Sequence, residues 1–247
     1  MAVTWLTAFL DTAAPEAAAT EAYWVAVTGW PLSSRRGENG EFASLQPSDG
    51  DGPVRVQVVG TQPPGGMHLD VHTDDVDRQV EQARGLGAEM RDTGLGYAVG
   101  RSPGGLVFCI VPHASGRRPG PVGWPGGASL VDQVCLDIPP ASFDREAEFW
   151  SGLTAWPHVR GGSPQFDRIL PPPGQPLRVL LQRTDDEDGS VRMHLDLASD
   201  DREAEVARHV ELGGRVVRST ENWTTLLDPS GRAYCVTRRS PVSGTLP

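Results

Sequence analysis

Apolar and polar residues alternate along residues 67–73, so His68, Asp70 and His72 share one face of an extended strand and Leu69 and Val71 the other. The period then lengthens. Val76, Val80, Ala83 and Leu86 recur at helical spacing and predict a buried stripe. Asp74 and Asp75 ahead of them offer an N-cap and first-turn charge, and Gly87 is a natural helix end. Short strand patterns follow near 88–91, 96–101 and 106–111, the last two joined by a Ser102-Pro103-Gly104-Gly105 turn. The predicted order is βαβββ.

Residues 194–238 write the same segment again, offset by 126 positions and without a gap, with 11 identities over 45 positions. His68-Leu69-Asp70 recurs as His194-Leu195-Asp196, Asp74-Asp75 as Asp200-Asp201, and Leu86-Gly87 as Leu212-Gly213. Pro103, Gly105 and Cys109 recur as Pro229, Gly231 and Cys235. Present only twice, so long a repeat is a duplicated domain rather than a solenoid array.

The stretches before each copy read as another βαβββ half. In the first, a strand at 6–11 leads into an Ala-rich helix at 15–28, with Tyr23 and Trp24 near its end, then strands at 41–45 and 54–59. In the second, a strand at 133–138 precedes a helix capped by Ser142, with Phe143, Ala147 and Trp150 at helical spacing, then strands near 166–170 and 177–182. Gly29-Trp30 and Ala155-Trp156 end the two helices. The fold class is therefore α+β, with tandem domains at 1–113 and 128–240, each made of two βαβββ units. The Gly- and Pro-rich segment 114–127 reads as the linker, with Trp124 tucked against one domain.

Composition narrows the function. The 247 residues carry a net charge of -10 with a pI near 5.0, and the Arg residues are scattered among acids. That argues against a nucleic-acid partner. Three cysteines, Cys109, Cys135 and Cys235, fit free thiols in a reducing compartment. No apolar run approaches membrane-spanning length, and no basic residues precede the apolar stretch at 3–10, so a cytoplasmic location is expected, with no membrane partner. No glycine-rich phosphate loop, Gly-x-Ser-x-Gly elbow or Cys-x-x-Cys pair is present.

Paired βαβββ units, the second opening on a strand that reads His-Leu-Asp-x-x-x-Asp-Asp, resemble the vicinal oxygen chelate superfamily, which includes glyoxalase I, bleomycin-resistance proteins and extradiol dioxygenases. The Leu-Gly helix ends, the Asp228-Pro229-Ser230-Gly231 hairpin and the aromatic pairs Tyr23-Trp24 and Phe149-Trp150 strengthen the likeness, which covers nearly the whole chain. It implies a half-open, eight-stranded barrel-like sheet in each domain, around a cleft. It also implies metal-ligand positions near the start of the first strand and toward the last strand of each unit. In domain 2 these fall on Gln133, Gln182, His194 and, where a Glu is usual, Cys235. In domain 1 they fall on Thr7, Gln57, His68 and Cys109, with Gln57 one position out of register with Gln182.

A divalent Zn, Fe, Mn or Ni centre of that family wants His and carboxylate donors, and both sets depart from this. His68 and His194 then have two readings, as interior imidazoles held by hydrogen bonds or as metal ligands. Asp70 and Asp196, two residues on, either orient the imidazole or lie exposed. Cys109 and Cys235 read as small core residues. Trp223 and Tyr97 either line a cleft and stack on a planar ligand or fill core. His72, His113, His158 and His209 lack repeat partners and read as surface residues.

Three functions follow as expectations. The first is a small-molecule-binding protein with an eroded ligand set, acting on or sequestering an aromatic or amphipathic metabolite around Gln133, Gln182, His194, Trp223 and Cys235. The second is a metal-dependent lyase or dioxygenase of the glyoxalase type, with His194 and His68 as ligands. The third is a non-catalytic binding or regulatory module. A small-molecule ligand is the expected partner, and a homodimer is an open arrangement.

Overall fold

The computed structural model describes residues 3–61, 65–112, 116–187 and 189–247. His113 and the first two positions of the Gly/Pro-rich segment lie outside the described residues. The first repeat runs β1 (Trp5–Thr12), α1 (Ala14–Thr28), β2 (Phe42–Ser44), β3 (Val54–Val58), β4 (Gly66–Thr73), α2 (Val76–Gly85), β5 (Glu89–Asp92), β6 (Ala98–Arg101) and β7 (Val107–Pro112). A short strand β8 (Val122–Trp124) follows. Then come β9 (Gly127–Ile138), α3 (Phe143–Thr154), β10 (His158–Arg160), β11 (Phe166–Ile169), β12 (Arg178–Arg183), β13 (Arg192–Ser199), α4 (Arg202–Glu211), β14 (Arg215–Ser219), β15 (Trp223–Leu227) and β16 (Ala233–Thr237). Among the described residues no helix is long and apolar enough to cross a membrane.

Two open sheets form, of seven and nine strands, neither of them a closed barrel. Their orders are β2-β3-β1-β4-β7-β6-β5 and β10-β11-β12-β9-β13-β16-β15-β14, with β8 paired to β9 off the second path. These are the tandem α+β sheets the sequence implies, with two departures from eight strands. In the first sheet the segment equivalent to β10 keeps only the isolated bridges Leu32↔Leu45 and Arg36↔Phe42. There Ser33 Oγ accepts the Ser44 N–H at 3.0 Å, a side chain standing where a ladder carbonyl would be. In the second sheet part of the Gly/Pro-rich segment folds back as β8, in register Val122↔Ser129 and Trp124↔Gly127.

The helix ends follow local chemistry. Asp75 and Asp201 cap α2 and α4 by accepting the Arg78 and Ala204 N–H groups. Gly87 and Gly213 then leave those helices at positive φ. Ser142 stands at the start of α3, but its side chain makes no capping bond, because a short 3-10 turn at Pro140–Ser142 leads into the helix instead. At the ends of α1 and α3 the repeat-equivalent residues Gly29 (φ 69°) and Ala155 (φ 58°) both adopt the left-handed conformation.

The chain divides into two compact units, each taking one βαβββ half from each repeat. Unit 1 comprises residues 1–8, 67–117 and 134–193, and unit 2 residues 9–66, 118–133 and 194–247. In unit 1 the core holds Phe108 against Phe149 and Trp150, with ring centroids 5.6 Å apart in both pairs. The buried face of α2 is Gln79, Val80 and Ala83, with Val76 and Leu86 only half-buried. Gln79 and Gln82 reach the last carbonyls of α3, donating to Leu153 O and Gly152 O at 2.6 Å each.

Unit 2 builds the equivalent junction from polar groups. Tyr23 and Tyr234 stand where unit 1 has Phe149 and Phe108, and their hydroxyls are hydrogen-bonded to each other. The Tyr234 hydroxyl donates to His209 Nδ1 at 3.0 Å, and His209 Nε2–H donates to Glu205 at 3.1 Å. Arg208 bonds Glu205, caps the Ala26 and Val27 carbonyls of α1, and stacks on the Trp124 ring at 3.7 Å. His209 is therefore fully buried and His72 nearly so, against the expectation of surface residues; His158 is exposed as expected. The polar partners explain the burial: a histidine enters a core when its nitrogens are matched there.

A second exchange compensates across the repeats. In unit 2, Asp228 accepts from Trp24 Nε1 at 3.0 Å and from the Ser230 N–H at 2.9 Å. In unit 1, Glu146 on α3 does both tasks, accepting from Trp150 Nε1 at 2.8 Å and the Gly104 N–H at 2.6 Å. Position 20/146 is Thr or Glu, and position 102/228 is Ser or Asp, so each unit keeps one carboxylate on the buried indole. Burial raises the Glu146 carboxyl above its ordinary range despite these bonds.

Two predictions follow. Ala155→Gly removes a left-handed alanine and should stabilise the chain by about 1 kcal/mol, read as a higher denaturant midpoint. Glu205 gives a pH signature: burial alone would raise its carboxyl, but hydrogen bonds from His209, Arg208 and Ser129 bring it down from 4.5 to about 2. Its stabilisation is thus complete above about 4.5 and is lost as pH falls toward 2. Glu205→Gln should show a shallower acid limb across that window in fluorescence-detected unfolding.

Candidate functional site

The site grows out of strand alternation in unit 2. β13 and β16 run parallel in register, with Leu195↔Tyr234, Asp196↔Cys235 and Leu197↔Val236. One face of the pair thus carries Leu195, Leu197, Tyr234 and Val236, all buried, and α4 covers it through His209 on Tyr234. The opposite face carries His194, Asp196 and Cys235. β15 pairs antiparallel to β16 with Thr225↔Cys235 and Trp223↔Thr237, which extends the polar face to Thr225 and Trp223.

On that face three donor types converge. His194 Nε2 lies 3.3 Å from Asp196 Oδ1 and 3.6 Å from Cys235 Sγ, and the three ligand atoms fall within 4.8 Å of one another. Thr225 Oγ1 approaches Cys235 Sγ at 3.4 Å. Gln133, on β9, donates from Nε2 to Asp196 Oδ2 at 2.5 Å. All four of Gln133, His194, Asp196 and Cys235 are buried. Asp196 Oδ1 is buried without a hydrogen bond.

Unit 1 carries the repeat-equivalent cluster. β4 and β7 pair in parallel with Asp70↔Cys109, and His68, Asp70 and Cys109 again bring their ligand atoms within 4.8 Å. Here His68 Nε2 is 3.7 Å from Asp70 Oδ1. Thr7, equivalent to Gln133, does not serve the carboxylate: its hydroxyl bonds His72 Nε2 at 2.9 Å. Val99 stands opposite Cys109, and Tyr97 precedes that strand.

Of the residues singled out in the sequence, Gln133, His194 and Cys235 are thus brought together, with Trp223 along the same sheet face. Gln182 is in unit 1, where its Oε1 accepts from Cys135 Sγ at 3.5 Å. Gln57 stands opposite Phe42 between β2 and β3. Asp196 and Asp70 prove buried, and the signal for them was their place two residues after each His on one strand. Thr225 carried no signal, because its approach to Cys235 depends on the β15–β16 register. A cavity of about 330 Å³ lies elsewhere in unit 2, against α4, lined by Trp124, Gly127, Asp201, Glu205, Arg208 and Glu211. Its central groups are already matched, since Arg208 pairs with Glu205 and stacks on Trp124. The His clusters are the candidate site.

The chain was compared with known proteins. A search of curated proteins gave no match. Among solved structures, the Mn(II)-bound glyoxalase from Novosphingobium aromaticivorans is similar at TM-score 0.64 and 14% identity, over 99% of this chain and 83% of that one. The 2,3-dioxygenase LapB from Pseudomonas sp. KL28 is similar at TM-score 0.62 and 13% identity, over 96% and 92%. A homoprotocatechuate 2,3-dioxygenase variant from B. fuscum gives TM-score 0.62 and 12% identity, over 97% and 71%. The chain spans about half (48%) of a xylose isomerase-like TIM barrel/4-hydroxyphenylpyruvate dioxygenase fusion protein, which it matches at TM-score 0.59. At these identities the likeness shows the fold. The glyoxalase-like domain family matches residues 7–111 and 133–237. Carrying that domain twice, once in each repeat, the chain belongs to the glyoxalase-like domain family.

Proposed function

We propose that the chain is a metal-dependent enzyme of the lyase or dioxygenase kind, with His194, Asp196 and Cys235 of unit 2 holding a divalent ion. One observation carries this reading: three buried donors, a nitrogen, an oxygen and a sulfur, lie within 4.8 Å on two hydrogen-bonded strands. The donor set fits such an ion, since imidazole, carboxylate and thiolate together are chemistry that zinc accepts. Asp196 answers the deficit at the last-strand position. The carboxylate absent there, where Cys235 stands, is supplied from β13 itself. Its buried Oδ1 makes no hydrogen bond and faces His194 Nε2 at 3.3 Å, a nitrogen and oxygen pair that a shared cation would satisfy.

When bound, the ion supplies Lewis acidity toward a substrate carbonyl or enediolate oxygen. The protein's own groups do the rest. Gln133 fixes the Asp196 carboxylate, and Trp223 offers a ring on the same sheet face for stacking a planar, aromatic or amphipathic substrate. The related structures named as Mn(II)-bound glyoxalase and as dioxygenases support a reaction of this kind.

Elemental analysis of chain purified without chelators should find a tightly held transition metal, lost in His194→Ala and in Asp196→Asn. Metal supplied at 100 times its Kd should stabilise the apo chain by about 2.7 kcal/mol. A chain that holds no metal, and whose unfolding midpoint is unmoved by added metal, would instead be the metal-independent binder of an aromatic metabolite.

A further inference from the structure

The site's make-up allows a finer statement, which rests on the metal reading above. We infer that the ion is of the soft, zinc class, bound through the Cys235 thiolate, and that Gln133 is a positioning residue for Asp196 rather than a ligand.

The first half follows from where the sulfur sits. Cys235 is the residue directly opposite Asp196 in the parallel ladder, its side chain is buried, and Sγ lies 3.6 Å from His194 Nε2. A cation reached by His194 and Asp196 is therefore reached by Sγ as well. Thiolates favour zinc and its soft neighbours, whereas manganese and magnesium prefer sites made of oxygen. Loading breaks the Cys235 S–H bond and forms a metal–sulfur bond, and the proton leaves to solvent. No oxidant or reductant is involved.

The second half follows from donor chemistry. An ionised carboxylate only accepts hydrogen bonds, so the Gln133 atom 2.5 Å from Asp196 Oδ2 is its NH₂ nitrogen, and this bond holds the side chain to the carboxylate. That bond occupies Oδ2 and leaves Oδ1 turned toward His194 Nε2. Hydrogen bonds of this sort to ligating carboxylates set their orientation. Unit 1 supplies an internal comparison. Its equivalent residue, Thr7, is engaged with His72, and there the imidazole–carboxylate distance opens from 3.3 to 3.7 Å.

Cobalt(II) tests both halves without an activity assay. The experiment uses the full chain carrying Cys109→Ser and Cys135→Ser, so that neither unit 1 thiol can contribute. Cobalt should produce a thiolate-to-metal charge-transfer band in the near ultraviolet, and zinc should displace cobalt and abolish the band more readily than manganese does. Cys235→Ser, or Cys235→Ala if the serine chain does not fold, should lose that band. Gln133→Leu should weaken zinc binding by about 10–100-fold yet leave the visible ligand-field spectrum of the saturated cobalt form unchanged. Cobalt bound without the band, or a band that survives loss of Cys235, would overturn thiolate ligation while the metal site itself stands. A changed ligand-field spectrum in Gln133→Leu would make Gln133 a ligand and overturn its positioning role. Absence of any cobalt or zinc binding would instead remove the metal reading.

Discussion

The parallel pairing of β13 with β16, repeated by β4 with β7, is the constraint on which the site depends. A strand puts alternate residues on opposite faces, so one register decides two things together. It presents Leu195, Leu197, Tyr234 and Val236 to the helix side, and it sets His194 and Asp196 beside Cys235 on the other. A slip of one residue would exchange the two sets, burying the imidazole and carboxylate against α4 and turning the apolar residues to the polar face. The helix packing that stabilises the sheet therefore also locks the donors into place.

The two repeats have diverged around that shared frame by compensation. Unit 1 closes its core with Phe108 on Phe149, while unit 2 places two tyrosines there and satisfies them with His209 and Glu205. Burial pushes the Tyr23 hydroxyl up to about 12 and the His209 imidazole down, each toward its neutral form. The carboxylate that receives the core indole moves from the hairpin in unit 2 to the helix in unit 1. The proposed site follows the same pattern: Cys235 stands on the last strand, and a carboxylate, Asp196, stands two residues after the histidine on the strand beside it.

Much of this could be read from the sequence because it was local. The alternation of His68-Leu69-Asp70, the aspartates that cap α2 and α4, and the glycines that end them each depend on neighbours a few residues away. What the sequence hid depends on distant pairing. His209 looked like a surface residue because only tertiary structure brings Tyr234 and Glu205 onto its nitrogens. The short strand β8 was concealed by glycine and proline, and it exists because β9 offers it a partner. The place of Asp196 was half legible. Its face followed from its distance to His194 along the strand, but its approach to Cys235 required knowing that β13 and β16 are neighbours. Gln133 stood out from its place on the first strand, whereas its hydrogen bond to Asp196 depends on the pairing of distant strands.

The central claim, that a histidine, an aspartate and a cysteine on neighbouring strands together hold a metal, is tested most directly by X-ray absorption at the zinc edge. The sample is the chain loaded with one equivalent of zinc. The account predicts a sulfur neighbour at about 2.3 Å beside nitrogen and oxygen neighbours at about 2.0–2.2 Å. A first shell of nitrogen and oxygen alone, or zinc that washes away before measurement, would contradict it.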